Sequence, residues 1–138
     1  MAGTIVADQL EAASTSTLVI KNGVANTPPT IQDSAGTQIG TFCRAWVNFN
    51  GTGTVAIRAS FNVSSITDNG TGDYTLNFTT AFADANYCAA LSGGEGTAGS
   101  GGRVPSSAGS TTTTFRIQVR NLDNATTDST DTYVSIFR

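Results

Sequence analysis

The side chains able to do chemistry are few, and one absence governs the rest: none of the 138 residues is histidine. A serine triad needs an imidazole to take its proton, and zinc most often takes one as a ligand. Glutamate occurs twice, as Glu11 and Glu95, beside eight aspartates. Paired-carboxylate hydrolysis requires two positioned acids, one with a raised pKa. No aspartate stands at the end of a strongly apolar strand beside another acid. Neither G-x-S-x-G nor G-x-x-x-x-G-K-[ST] occurs. The expectation is no catalytic residue, no metal ligand, no cofactor and no enzyme.

Cys43 and Cys88 lie far apart and form no C-x-x-C pair, which removes zinc and thioredoxin-type motifs. They read as small, buried, reduced thiols, with a single disulfide as the alternative. Asp68-Asn69-Gly70-Thr71-Gly72-Asp73 loosely resembles a calcium loop but lacks the closing glutamate. A hairpin connection explains the same residues.

Trp46, the only tryptophan, is flanked by Arg44 and Asn48 on the polar side of its segment. Arg58, one segment later, stacks on Trp46 if the two segments pair. These four residues are the candidate binding or interface cluster. One reading is a carbohydrate platform, with a ring for the apolar face of a sugar and polar neighbours for its hydroxyls. The other is packing beneath the N-terminal arm or across a subunit interface, where Trp and Arg are enriched. Seven cations at a net charge of −3 are too sparse to track phosphates, so no nucleic-acid partner is expected. No window approaches the ~20 apolar residues of a membrane span, and residues 1–20 lack the pattern of a signal peptide. The several N-x-[ST] triplets are what an Asn- and Thr-rich chain contains by chance.

The elements that must position this cluster are strands. Cys43, Ala45, Val47 and Phe49 alternate with Arg44, Trp46 and Asn48, and Val55, Ile57, Ala59 and Phe61 repeat the pattern after Asn50-Gly51-Thr52-Gly53. Further strands carry Tyr74, Leu76 and Phe78; then Tyr87, Ala89 and Leu91; then Phe115, Ile117 and Val119. The last holds Tyr133, Val134, Ile136 and Phe137. Strands in series with Gly/Asn turns and no intervening helix define an all-β protein, an antiparallel sandwich or barrel-like head over 41–138. Residues 1–40 read as an extended N-terminal arm for attachment or intersubunit contact, with one or two helical turns possible over Ala7–Ala13. Leu18, Val19, Ile20, Pro28 and Pro29 are its candidate contact residues. Ser92–Thr111 carries seven glycines and reads as a long loop, mobile or turned outward to touch a partner through Gly93, Glu95 and Arg103.

Three stretches together resemble a module of marine and freshwater phages. They are Lys21 to Asp33 with its Thr27-Pro28-Pro29-Thr30, Cys43 to Arg58 with Arg44-Ala45-Trp46-Val47-Asn48-Phe49, and Phe61 to Phe78 through Asp68–Tyr74. The module ends cyanophage tail-fibre-like virion structural proteins. The likeness covers residues 21–91 well and 112–138 loosely. It implies a homotrimeric β head on a virion assembled in the host cytoplasm, with tail, baseplate or capsid proteins and host surface glycan as partners. About forty residues precede Cys43 and no shaft is among them. A short tail fibre or receptor-binding appendage is therefore expected, with capsid decoration (cement) as the alternative and a glycan depolymerase as the third reading.

Overall fold

The computed structural model describes residues 29–94 and 102–138, together with Ile20 and Gly23. Among them every regular element is a strand: β1 (Ile31–Gln32), β2 (Gln38–Gly40), β3 (Cys43–Asn50), β4 (Ala56–Phe61), β5 (Val63–Gly70), β6 (Asp73–Phe78), β7 (Cys88–Gly94), β8 (Val104–Ser110), β9 (Thr114–Arg120) and β10 (Asp131–Phe137). Two antiparallel four-stranded sheets form. Sheet I has the order β4-β3-β10-β7, and sheet II has the order β5-β6-β9-β8.

The alternation read from the sequence produces this arrangement. A strand turns successive side chains to opposite faces, so every second residue of β3, β6, β9 and β10 can enter one core. Ala45, Val47, Phe49, Val134 and Ile136 of sheet I meet Tyr74, Leu76, Phe78, Phe115, Ile117 and Val119 of sheet II, all buried. Each large side chain among them contributes about 1.5–3 kcal/mol by leaving water. The sandwich is the expected fold class.

A polar seam ties the two sheets at one end. Tyr74 Oη shares its proton between Gly51 O at 2.8 Å and Asp128 Oδ1 at 2.7 Å. Asp128 also accepts from the amide of Gly72 at 2.8 Å, and the Gly51 amide donates to Ser129 O at 2.8 Å. The turn after β3 and the turn before β6 are thus both held by the β9–β10 connection. A side chain at Gly51 has no room: its Cβ would lie 2.5 Å from Tyr74 Oη. Burial first, and then the bond to Asp128, push the Tyr74 hydroxyl pKa up.

Three expectations need correction. First, the 92–111 segment is not one long loop. β7 runs to Gly94, and β8 occupies Val104–Ser110, paired with β9. As an edge strand β8 bonds on one side, tolerates Pro105 and contributes no buried residue, so no apolar alternation marks it. Second, residues 31–40 of the arm close into the β1–β2 hairpin, with Asp33 Oδ1 accepting from the amides of Ala35 and Thr37. Third, Phe61 is not in the core. Asn48 pairs with Ala59 but Phe49 with Ile57, so Arg58 is the extra residue of a β-bulge. Beyond a bulge the facing of a strand reverses, which leaves Ile57 inward and Phe61 exposed. The helical turns expected over 7–13 lie outside the described residues.

Candidate functional site

Sheet I turns an aromatic surface outward. Trp46, 39 % exposed, stands directly opposite Phe61, 55 % exposed, on the edge strand β4. On its other side Trp46 faces Ser135, and Tyr133 and Phe137 lie two residues either way along β10 on the same face. Tyr133 is 45 % exposed and Phe137 is half-buried. Opposite residues in such a pair have Cβ atoms about 5 Å apart and diagonal ones about 7–8 Å, so the four rings form one patch centred on Trp46. Only Trp46 of these rings stands out in the sequence as a site residue. Tyr133 and Phe137 were legible as the positions alternating with buried Val134 and Ile136, whereas nothing in the sequence marks the bulge that turns Phe61 outward.

Both arginines of the candidate cluster are bulge residues. Ile136 pairs with Ala45 and Phe137 with Cys43, so Arg44 is the extra residue on β3, as Arg58 is on β4. Arg58 does not stack on Trp46 as expected. Its guanidinium donates to Asn48 Oδ1 at 3.2 Å and to Thr130 O at 2.7 Å, and pairs with Asp131 at 3.0 Å. These acceptors hold Arg58 and Asn48 together at one rim of the patch. Arg44 places its guanidinium 5.6 Å from the centre of the Phe82 ring. It borders two depressions, one of about 360 Å³ shared with Phe61, Asn62, Thr79 and Thr80, the other of about 240 Å³ shared with Pro29 and Arg138. Asn62 shapes the first. It adopts the left-handed region at φ 56°, which Asn tolerates better than most residues. Its side chain donates to Arg44 O and Thr80 O, both at 3.1 Å, and accepts from the Thr80 amide at 2.7 Å.

The cysteines flank this face. Both are free; Cys43 is half-buried, but Cys88 is exposed at the start of an edge strand, which corrects the expectation of two buried thiols. Phe137 pairs with both, so the two lie two strand spacings apart, about 9.5 Å. That exceeds the ~7 Å over which a disulfide can close. Of the outward-loop candidates, Gly93 and Arg103 form an isolated bridge, and Arg103 Nε donates to Asp128 O at 3.0 Å. Of the arm candidates, Ile20 is exposed and Pro29 half-buried. Leu18, Val19, Pro28 and Glu95 lie outside the described residues.

Sheet II presents a different outward face. Asp73 is gripped by Arg116 through two bonds of 2.8 and 2.6 Å and also accepts from Gln118 and Asn69. Asn77 donates to Ser65 Oγ and Thr67 Oγ1, and Asn69 donates to Thr75 Oγ1. Arg120 donates to Gln118 Oε1 at 2.8 Å. The Arg116 guanidinium, aided by Gln118 and Asn69 against partial burial, pulls the Asp73 carboxyl pKa down to about 2. Among the described residues no cluster of three His, Cys, Asp or Glu side chains is placed to hold a metal ion, and Asp68 and Asp73 serve the hairpin and Arg116 instead.

The fold has a counterpart among solved structures. The chain is similar to the phiAB6 tailspike, solved in complex with three-repeated oligosaccharides of Acinetobacter baumannii surface polysaccharide. The TM-score is 0.52 at 14 % identity, over 90 % of this chain and 30 % of the tailspike chain. The chain thus spans under a third of the tailspike it matches, and the likeness is one of fold. No protein-family model matches the sequence, and no curated protein does.

Proposed function

We propose that this chain is a structural protein of a bacteriophage virion, a short tail-fibre or receptor-binding appendage displayed as a homotrimer. The observation behind the proposal is the sandwich itself, whose match to a tailspike takes in 90 % of the chain. The resemblance of residues 21–91 to cyanophage tail-fibre-like modules supports the same reading. The role is binding rather than chemistry, in keeping with a chain that has no histidine. Host surface glycan is the ligand class, as surface oligosaccharide is for the tailspike. The end of the sandwich carrying Gly93 and Arg103 is the part we assign to the host side, and residues 1–40 to attachment on the virion.

Copy number tests this. Purified virions, quantified by mass spectrometry against the major capsid protein, should hold a few trimers of the chain. Hundreds of copies would overturn the appendage reading in favour of capsid decoration.

A further inference from the structure

Arg120 ends the outward face of sheet II at the end that carries Gly93 and Arg103: it pairs with Val104, and Arg103 bridges to Gly93. Its guanidinium is half-buried and donates to Asn124 O and Gln118 Oε1, both at 2.8 Å. Both acceptors are neutral. Arg58, Arg116 and Arg138 differ, since each pairs with a carboxylate of its own chain, Asp131, Asp73 and Asp84 in turn. A guanidinium has five N–H donors, so two carbonyl oxygens leave donors over and the positive charge uncompensated. Partial burial makes such a charge costly. An oxyanion held by the planar fork is the partner that offsets the cost.

The guanidinium lines a depression of about 420 Å³ with Val104, Ser106, Asn121, Leu122 and Asn124, within the range of about 300–1,000 Å³ for small-molecule sites. One wall is sheet, where Val104 stands opposite Arg120 and Ser106 opposite Gln118. The other is the turn after β9, which its own bonds fix. Asn121 Oδ1 accepts from the Ala125 amide at 2.9 Å, the Asn121 amide donates to Ala125 O at 2.9 Å, and Arg120 bridges to Thr126. Asn124 holds the left-handed region at φ 65°, which Asn tolerates, and its carbonyl is one of the two acceptors on Arg120. The Asn124 side-chain amide and Asn121 Nδ2 make no hydrogen bond among the described residues. Leu122 and Val104, 76 % and 52 % exposed, supply the apolar edge.

We infer that this depression binds an acidic sugar, one whose ring carries a carboxylate. Arg120 takes the carboxylate as a fork, the amides of Asn121 and Asn124 take ring hydroxyls, and Leu122 lies against the C–H face of the ring. Among the described residues Arg120 is the only charge in the lining; Asp123, the acid of the same turn, is exposed and stands outside it. A neutral sugar would leave the guanidinium as it is now, without a counter-charge. The inference rests on the reading of the chain as a glycan-binding appendage, and it names the charge of the glycan and the place that holds it.

The full-length chain, labelled with heavy nitrogen for NMR, is titrated with glucuronate- and neuraminate-containing oligosaccharides, with their carboxyl-reduced neutral forms and with sodium acetate. The expected result is saturable shifts at Arg120 Nε and at the side-chain amides of Asn121 and Asn124 with an acidic oligosaccharide, weakening as salt rises. The neutral forms and acetate should bind at least about tenfold more weakly, as loss of a charged hydrogen bond implies. Arg120→Gln, which keeps uncharged donors, should lose the same factor. Should Arg120→Gln fail to fold, Asn124→Gly serves instead: glycine accepts the left-handed backbone, and loss of one amide should weaken binding about fivefold.

No saturable shift with either acidic probe would overturn the inference, as would equal binding of the neutral forms. Acetate binding as tightly as the oligosaccharides would overturn the assignment to a sugar. Shifts centred on Trp46 and indifferent to Arg120→Gln would overturn the placement and leave the glycan-binding reading standing. Acidic-sugar binding at Arg120 in a chain present at hundreds of copies per virion would do the reverse, supporting the site and overturning the appendage.

Discussion

The two outward faces of the sandwich are built on equal scaffolds and have opposite characters. Each belongs to a four-stranded antiparallel sheet, and each sheet gives its inner side to the same core. On sheet II the carboxylate, amide and guanidinium groups satisfy one another: Asp73 with Arg116, Gln118 and Asn69, and Asn77 with Ser65 and Thr67. Such a face is complete in water. On sheet I the polar groups are gathered at the rim by Asn48, Arg58 and Asp131, and the middle is left to rings that water does not satisfy. The difference teaches where to look for function in a fold of this class. Inner sides are dictated by the need for a core, so only outer sides are free to differ.

The largest expected effect removes both faces together. Because the Gly51–Tyr74–Asp128 seam joins the sheets, Gly51→Ala forces a methyl against Tyr74 Oη and Ser129 O. Overpacking of this kind costs about 1–3 kcal/mol, and the tight backbone on one side puts this site at the upper end. Urea unfolding should show a lower midpoint, with Trp46 emission on sheet I and amide protection in β9 on sheet II lost in one transition. If the sheet II signal survived the loss of the sheet I signal, the two faces would not share one seam.

A smaller effect isolates sheet II. Asp73 has its pKa lowered from 3.8 to about 2, chiefly by Arg116. Its contribution to stability is therefore fully present above about pH 4 and is lost as the pH falls towards 2. Arg116 is about half exposed, and solvent screening holds the contribution to about 1 kcal/mol. Asp73→Asn should lower stability by that amount at pH 6 and make little difference at pH 2. Equal destabilisation at both pH values would show that the polar face depends on shape rather than on charge.

Much of this was legible in the sequence, for a physical reason. A strand with one buried side must alternate, so β3, β6, β9 and β10 announced themselves through Val47, Leu76, Ile117 and Ile136 and their polar neighbours. β8 did not, because an edge strand such as Val104–Ser110 needs no apolar period to pair with β9. The candidate cluster was half legible. Trp46 and Asn48 alternate with buried Val47 and so lie on the outer side of β3, but how Arg44 and Arg58 stand beside them depends on two bulges. A bulge is one extra residue in a register, and neither Arg44 nor Arg58 differs in type from an arginine on a regular strand. Phe61 was misplaced for that reason alone, and Cys88 because a small apolar residue at the end of an edge strand looks like a core residue.

The smallest expected effect is the one that defines sheet I. Phe61→Thr puts a β-branched residue with good strand propensity on an edge strand and removes a ring that is already more than half in water. At a dilution where the chain is monomeric it should change unfolding stability by no more than about 0.5 kcal/mol, as surface substitutions do. A phenylalanine in the core, such as Phe115, would cost about 3–5 kcal/mol on truncation to alanine. The comparison sharpens when concentration rises. Association stabilises the folded state by mass action, so the melting temperature of a homotrimeric chain should climb with concentration. A flatter climb for Phe61→Thr would put the ring in the contact between copies, and parallel curves for the two proteins would mean that it serves neither the fold nor that contact.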